Sequence, residues 1–223
     1  LSGPGLVAAP HHNLPILVRS IEIGNGAMLS HLPCTAALTY WLDLVVTDAC
    51  TVHETGSIAA SARGYLHGRT SGNSASGAST GYSGGSYGGL GQAVSGASNG
   101  LYGNPFAPDE PGSGGAGNIA IANAGGGLLR VAAGALIVNG AITANGGNAQ
   151  DNGWSQASGA GSGGGILLTL DTLSGTGVIT ANGGNGAGIG GAGGGGRIAI
   201  HCTGANAFVR SEERRVGKEC RSR

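Results

Sequence analysis

Two stretches decide the fold: residues 125–148 read GGGLLRVAAGALIVNGAITANGGN, and residues 163–185 read GGGILLTLDTLSGTGVITANGGN. Both begin with three glycines, continue through a run of aliphatic residues and end on ITANGGN. A third copy begins at Gly194 as GGGRIAIHCT, and a fainter copy, LDLVVTDACTVHETGSIAASARG, spans residues 42–64. Similar stretches that recur along a chain in this way indicate a repeat architecture rather than a single compact domain.

The apolar residues within each copy come in short bursts. They occupy residues 128–131, 136–138, 142–144, 166–170 and 178–180, separated by Asn-Gly or Gly-x-Gly. Short, β-branched, glycine-bounded bursts predict strands, and three strands with their corners take about 22 residues. We therefore expect an all-β fold, a right-handed parallel β-helix or β-solenoid with long glycine-rich loops.

Four residues are predicted to make the corners of this fold: Asn145, Gly146, Asn182 and Gly183. Asn and Gly tolerate the left-handed backbone that a sharp corner requires. Stacked coils would bring Asn145 and Asn182 into register, where their amides could form a ladder.

Glycine makes up 49 of the 223 residues, and much of it lies outside the apolar bursts. The main glycine-rich excursions span residues 70–117, 146–164 and 183–196. Composition allows either flexible linkers or extended polyglycine strands that pack against one another. The chain divides into an N-terminal β segment (1–69), a Gly/Ser/Tyr-rich insertion (70–118), β-helical repeats (119–209) and a tail (210–223).

The tail, RSEERRVGKECRSR, resembles a translated sequencing adapter, because Arg-Ser-Glu-Glu-Arg can be back-translated to AGATCGGAAGAGC. It carries six of the 11 Lys+Arg and three of the 11 Asp+Glu, which leaves five arginines and eight carboxylates elsewhere. That mildly acidic balance argues against a nucleic-acid partner. No apolar run reaches the length of a membrane helix. We expect both natural termini to lie outside this sequence.

Several segments together resemble a family of large bacterial secreted and cell-surface proteins with glycine-rich β-helical repeats. They are ARGYLHG (62–68), GGSYGGLGQ (84–92), YGNPFAPDEPGSGG (102–115), GSGGG (161–165), ITANGGNG (179–186) and GGGGRIAI (193–200). The resemblance covers residues 46–202 and departs from the family pattern at residues 61–68 and at Gln92. It implies an adhesin-like or matrix role at an extracellular or cell-surface location, with no catalytic residues to transfer.

The candidate metal ligands are His31, Cys34, Cys50 and His53, whose spacing H-x2-C-x15-C-x2-H suits zinc. An extended Cys50–His53 segment would place its two ligands on opposite faces, which disfavours the site. A Cys34–Cys50 disulfide fits an exported protein. Two unlinked buried thiols are the third possibility.

No catalytic or cofactor-binding residue is predicted. Gly186, Gly188 and Gly191 match a dinucleotide motif, and Ser83 and Ser86 match G-x-S-x-G, but neither motif has its strand–helix context. Four aspartates, at 43, 48, 151 and 171, are scattered rather than paired.

The other polar and aromatic candidates have modest expected roles. Calcium could at most be held weakly by Asp109 and Glu110. Arg130 and Arg197 are expected to cap a corner or meet a carbonyl rather than to bind substrate. Trp41 and Trp154 are expected to cover the end of an apolar layer rather than to stack on a sugar. His11, His12 and His201 read as ordinary polar positions.

The functional prediction is a structural or adhesive module, without catalysis in these residues, whose partners are surface glycans or other matrix or surface proteins. One alternative is a fragment of a carbohydrate-active β-helix protein. Another is an ice- or mineral-binding surface, for which only Thr143 and Thr180 align.

Overall fold

The computed structural model describes residues 6–8, 15–119, 123–153 and 156–209, and its regular structure is almost entirely β-strand. The exception is a short 3-10 helix at Ser71–Asn73. The strands are β1 (Leu6–Ala8), β2 (Ile16–Val18), β3 (Ile21–Ile23), β4 (Met28–His31), β5 (Leu42–Val52), β6 (Ser57–Ala59), β7 (Leu128–Val138), β8 (Ala141–Thr143), β9 (Gln150–Asp151), β10 (Ala157–Ser158), β11 (Gly165–Gly175), β12 (Val178–Thr180), β13 (Arg197–Cys202) and β14 (Asn206–Phe208). The predicted all-β class is confirmed. Within the described part of the chain, no helix is long and apolar enough to span a membrane.

The chain forms two parallel sheets and contributes strands to each of them in turn. The long sheet has the order β13-β11-β7-β5-β2, with β3 also pairing with β5 and β14 with β11, and the short sheet has the order β1-β4-β6-β8-β12. In four successive units, long-sheet pairing is followed by a short-sheet strand, whereas in the fifth β13 leads into β14, which pairs with β11 in the long sheet. We call each unit a pass. The first pass is β2, β3 and β4, the second β5 and β6, the third β7 and β8, the fourth β11 and β12, and the fifth β13 and β14.

The core lies between the sheets and follows from alternation along each strand. Leu129, Val131 and Ala133 of β7 point inward, and the aligned Ile166, Leu168 and Leu170 of β11 continue the same layers. In the short sheet, Ile142 aligns with Ile58 and Ile179. Each such buried Leu or Ile side chain stabilises the fold by about 1.5–3 kcal/mol.

Strand β7 does not end between its two apolar bursts, which corrects the prediction of separate strands at 128–131 and 136–138. Strand β7 runs unbroken through Gly134, while the pairing of β5 with β7 shifts register between Val46 and Ala49. A side chain at Gly134 would lie 2.8 Å from the carbonyl oxygen of Asp48. Glycine therefore lets the bulged neighbour approach at the register shift, and the β5–β7 pairing resumes at Ala49 and Ala135.

A second structural layer, the glycine array, packs beside the sheets. It comprises residues 60–69, 79–92, 111–118, 123–127, 144–149, 157–165, 181–186 and 190–196. Its central segment, 157–165, shares backbone hydrogen bonds with six of the others. The bonds are Gly159 N to Ala116 O (2.6 Å), Ala160 N to Gly191 O (2.8 Å), Gly161 N to Gly147 O (2.8 Å), Gly85 N to Ala160 O (2.9 Å), Gly126 N to Ser162 O (2.8 Å) and Gly184 N to Gly161 O (2.9 Å).

Six neighbours around one segment require a backbone whose polar groups point in successive directions. A β-strand bonds only the two chains beside it. An extended helix of three residues per turn, of the polyproline II type, makes no internal bonds and turns its groups around its axis. The buried parts of the glycine-rich segments thus adopt the packed alternative. The prediction of long loops projecting from the sides is wrong for residues 83–87 and 112–116, which are buried.

Candidate functional site

The insert between β6 and β7, residues 60–127, carries the candidate functional surface, and a buried amide anchors it. The side-chain oxygen of Asn99 accepts hydrogen bonds from the Ser86 backbone N–H (2.8 Å) and the Ser79 hydroxyl (3.0 Å). Its amide nitrogen lies 3.0 Å from the hydroxyl of Thr70 and 3.1 Å from that of Ser113. Asn99 therefore ties three separate parts of the insert together.

A carboxylate supplies the second anchor. Glu110 accepts hydrogen bonds from the Tyr65 hydroxyl (2.8 Å), the Ser71 hydroxyl (2.9 Å) and the Gly72 backbone N–H (2.8 Å). Burial, followed by the bond to Glu110, raises the pKa of Tyr65 well above its usual range. The tyrosine stays a neutral donor, so this contact is a hydrogen bond and not an ion pair.

Aromatic and basic side chains fasten the insert to the fifth pass. The rings of Tyr87 and Tyr102 lie 4.8 Å apart, and the Arg197 guanidinium lies 5.2 Å from the centre of the Tyr87 ring. Arg197 also donates from Nε (3.0 Å) and Nη2 (2.8 Å) to the Tyr102 carbonyl. Further along β13, His201 Nε2 lies 2.7 Å from the Phe106 carbonyl. Arg197 thus caps a carbonyl, the kind of role expected for it, but the carbonyl is 95 residues away along the chain.

Three large apolar side chains of the anchored insert face solvent, and we call them the rim: Leu90 (66% exposed), Leu101 (52%) and Phe106 (76%). Leu101 precedes the clamped Tyr102, and Phe106 bears the carbonyl that lies against His201. Leu90 follows the pair Gly88 and Gly89, whose N–H groups both donate to the Gly195 carbonyl. Exposed apolar side chains on an ordered backbone are suited to contact with another surface, because little ordering entropy is lost on binding.

A cleft of about 530 Å³ opens beside the array, lined by Gln92, Val94, Ser95, residues 186–190 and Ala192. Its wall is held by Asp151, which accepts a hydrogen bond from the Ile189 N–H (3.1 Å). On the other side, Gln92 Oε1 accepts one from the Ala192 N–H (3.2 Å). The lining is mostly glycine, alanine and backbone, so the cleft offers shape and peptide groups but little charge.

The proposed zinc ligands are not brought together. No three His, Cys, Asp or Glu side chains of the described residues form a group that could hold a metal ion. His53 lies 3.7 Å from Glu22 instead. The Cys34 thiol contacts the backbone of Tyr40, and Cys50 lies in the core layer of β5.

Both thiols are free in the structure, so the Cys34–Cys50 disulfide is not formed there. Burial raises the pKa of Cys34 to about 11 and that of Cys50 to about 12. Thiols with such pKa values carry almost no thiolate near neutral pH and are poor nucleophiles and metal ligands.

His31 is buried at the end of β4 with one unsatisfied nitrogen. Its Nδ1 lies 2.7 Å from the Leu32 carbonyl, which can only accept, so Nδ1 carries the proton. Nε2 has no hydrogen-bond partner and faces Gly127, where any side chain would collide with it. Burial, the dominant cause, lowers the pKa of His31 to about 4.

The scattered aspartates remain apart and are each engaged separately. Asp43 pairs with Arg130 (3.6 Å) across the aligned β5 and β7, Asp48 pairs with Arg19 (2.8 Å), and Asp171 accepts from the Thr203 hydroxyl (3.1 Å). Arg130 therefore meets a carboxylate rather than a corner carbonyl. Trp41 is partly buried just before β5, whereas Trp154, His11 and His12 lie outside the described residues.

The predicted corner residues stack in register, but their chemistry differs from expectation. Asn145 Oδ1 accepts from the Asn182 backbone N–H (2.8 Å), so the ladder joins side chain to backbone rather than amide to amide. Neither Gly146 nor Gly183 has a positive φ. A side chain there would collide with the carbonyl oxygen of Gly161 or of Gly193, so these glycines serve close packing and not a left-handed corner.

The threonine row is short. Thr143 aligns with Thr180 on one side and with Ala59 on the other. Among the described short-sheet strands the row thus holds two adjacent threonines. That is too few for the regular array that the ice- or mineral-binding hypothesis requires.

Comparison of the chain with protein-family models, with curated proteins and with solved structures found no match.

Proposed function

We propose that this chain is a structural or adhesive repeat module of a secreted or cell-surface protein, with no catalysis in these residues. In this proposal the passes are successive coils of a β-solenoid. The coils are right-handed, because crossover connections between parallel strands are nearly always right-handed. The observation that carries the proposal is the glycine array, in which backbone hydrogen bonds join the insert to residues 144–149, 157–165 and 190–196.

The array supports an adhesive role because it makes the rim rigid. Residues 157–165 bond six neighbours, and Asn99 and Arg197 fix the segments that bear the rim. A stiff platform keeps Leu90, Leu101 and Phe106 exposed without letting them collapse onto the core. The partners we propose are surface glycans or other matrix or surface proteins.

The test is binding of the full chain to a glycan array and to immobilised surface-matrix proteins. Replacing all three rim residues by serine should abolish specific binding, whereas Leu38→Ser, which alters an apolar side chain 41% exposed and outside the rim, should preserve it. Equal binding by both variants, or no binding by the unaltered chain, would contradict the adhesive role. A reducing-end assay on polysaccharides should show no turnover, and turnover would favour the carbohydrate-active alternative.

A further inference from the structure

The insert contains a chemically labile dipeptide, Asn99–Gly100. Asparagine loses its side-chain amide most readily before glycine, because glycine has no side chain to hinder attack of its backbone nitrogen on the asparagine Cγ. Gly100 is exposed, and its N–H makes no hydrogen bond within the described part of the chain. The attacking nitrogen is therefore free, and the reaction is controlled by the Asn99 side chain.

The folded insert holds that side chain firmly. Asn99 is 3% exposed, and its Nδ2, the atom that deamidation expels, donates to the carbonyls of Ser86 (2.9 Å) and Gly100 (2.9 Å) as well as contacting the two hydroxyls described above. Attack on Cγ and loss of Nδ2 would break these contacts, while Thr70, Ser86 and Ser113 would stay buried. Buried polar groups without partners are costly, so the folded state disfavours the reaction.

The product of deamidation cannot rebuild the anchor. A carboxylate only accepts hydrogen bonds, and so do the Ser86 and Gly100 carbonyl oxygens to which Asn99 donates. An aspartate at position 99 would therefore place a buried negative charge against two carbonyl oxygens. The isoaspartate that forms alongside it adds a methylene group to the backbone and displaces the carboxylate as well. Deamidation thus removes the contact that ties the parts of the insert together.

We propose that Asn99–Gly100 is a modification site that stays intact in the folded chain and deamidates when the insert opens. The Gly100 nitrogen loses its proton to solvent and bonds to Asn99 Cγ, the Cγ–Nδ2 bond breaks, and Nδ2 leaves as ammonia with a proton taken from water. Water then adds to either carbonyl of the succinimide ring and cleaves one C–N bond, which leaves aspartate or isoaspartate. An opening that lasts long enough for this reaction becomes irreversible.

The modification does not depend on the proposed adhesive role, because it alters the anchor whether or not the rim binds a partner. Its first test is peptide mapping by mass spectrometry of the full chain, incubated at mildly alkaline pH with and without urea. Deamidation at Asn99 should be at least about 10-fold slower without urea, because it requires a local opening of the fold. Asn185, which is exposed and also precedes a glycine, is the matched comparison and should react at similar rates in both conditions. A slowing at Asn99 no greater than that at Asn185 would overturn the proposal.

Gly100→Ala tests the consequence for the fold. Its methyl group meets nothing within 4 Å, so the variant should fold, and it should deamidate several-fold more slowly at Asn99 in urea. After long incubation in urea and dilution, the unaltered chain should lack the hydrogen-exchange protection of residues 79–86 that a briefly unfolded sample regains. Gly100→Ala treated for the same long time should regain it. Full protection in the deamidated chain, or loss of protection in both chains, would overturn the proposal.

Discussion

At the residue scale, glycine acts in this chain mainly through the side chain it lacks. In the array, the nearest atoms to a hypothetical side chain are usually carbonyl oxygens of another segment. Most array glycines do not have a left-handed backbone: within the array only Gly68 and Gly81 have positive φ, and the other positive values fall at glycines outside it, such as Gly26 and Gly103. The loss of stability on replacing an array glycine should therefore depend mainly on how crowded the position is, and less on its backbone conformation.

Gly126→Ala should destabilise the fold by about 3 kcal/mol, because its methyl group would collide with the Ala144 carbonyl inside the array. Gly100→Ala is the matched control. Nothing lies within 4 Å of its added methyl group, and it should be neutral or stabilising by about 0.4–1 kcal/mol. Urea unfolding of both variants measures the difference, and equal effects would contradict the crowding explanation.

His31 should make the protein sensitive to acid. Its pKa is about 4 in the folded state against 6.5 for the free side chain, so the unfolded chain binds a proton first. Protonation of His31 therefore has no effect on the free energy of unfolding above pH 6.5. As the pH drops from 6.5 toward 4, that free energy falls by about 3 kcal/mol. His31→Asn should flatten this part of the stability–pH curve. An unchanged slope in the variant would show that other groups cause the loss.

At the element scale, the insert is held by the backbone bonds of the array and by a few polar side chains rather than by helices or long strands. Asn99 connects Thr70, Ser86 and Ser113, and Glu110 fixes the 3-10 turn. Strand alternation and the ITANGGN repeat predicted the strands and the register of Asn145 with Asn182. The repeat carries no copy of Asn99 or Glu110, so no periodic signal marked them.

The six-neighbour packing was equally hard to predict. Glycine-rich composition is the same for a flexible linker and for a packed array, and only the partners of residues 157–165 distinguish them. Arg197 shows the same limit: its partner Tyr102 is 95 residues away, a distance that no local pattern encodes.

Asn99→Ala should cost about 3 kcal/mol, because the Ser86 N–H and the Ser79 and Ser113 hydroxyls would be left buried without this partner. Asn104→Ala removes a comparable but exposed bond to the Phe106 N–H and should cost less than about 1 kcal/mol. Hydrogen exchange of residues 79–86 gives a local readout. Unchanged protection there in Asn99→Ala would contradict the anchoring role.

At the scale of the whole molecule, the insert and the sheets should behave as one cooperative unit. Backbone bonds from residues 111–118 reach Arg69, Gly126 and Ser162, on both sides of the predicted boundaries at 69 and 118. Calorimetry should accordingly give a single unfolding transition with equal calorimetric and van't Hoff enthalpies. Two resolved transitions would show that the insert folds separately.

The array also has a thermal consequence, since what it buries is mainly peptide backbone. Exposure of polar surface lowers the heat capacity of unfolding, whereas exposure of apolar surface raises it. We therefore expect a heat-capacity change below the usual range of about 12–15 cal/mol/K per residue. A small heat-capacity change gives a broad, shallow curve of stability against temperature, so this chain should lose little of its stability on cooling.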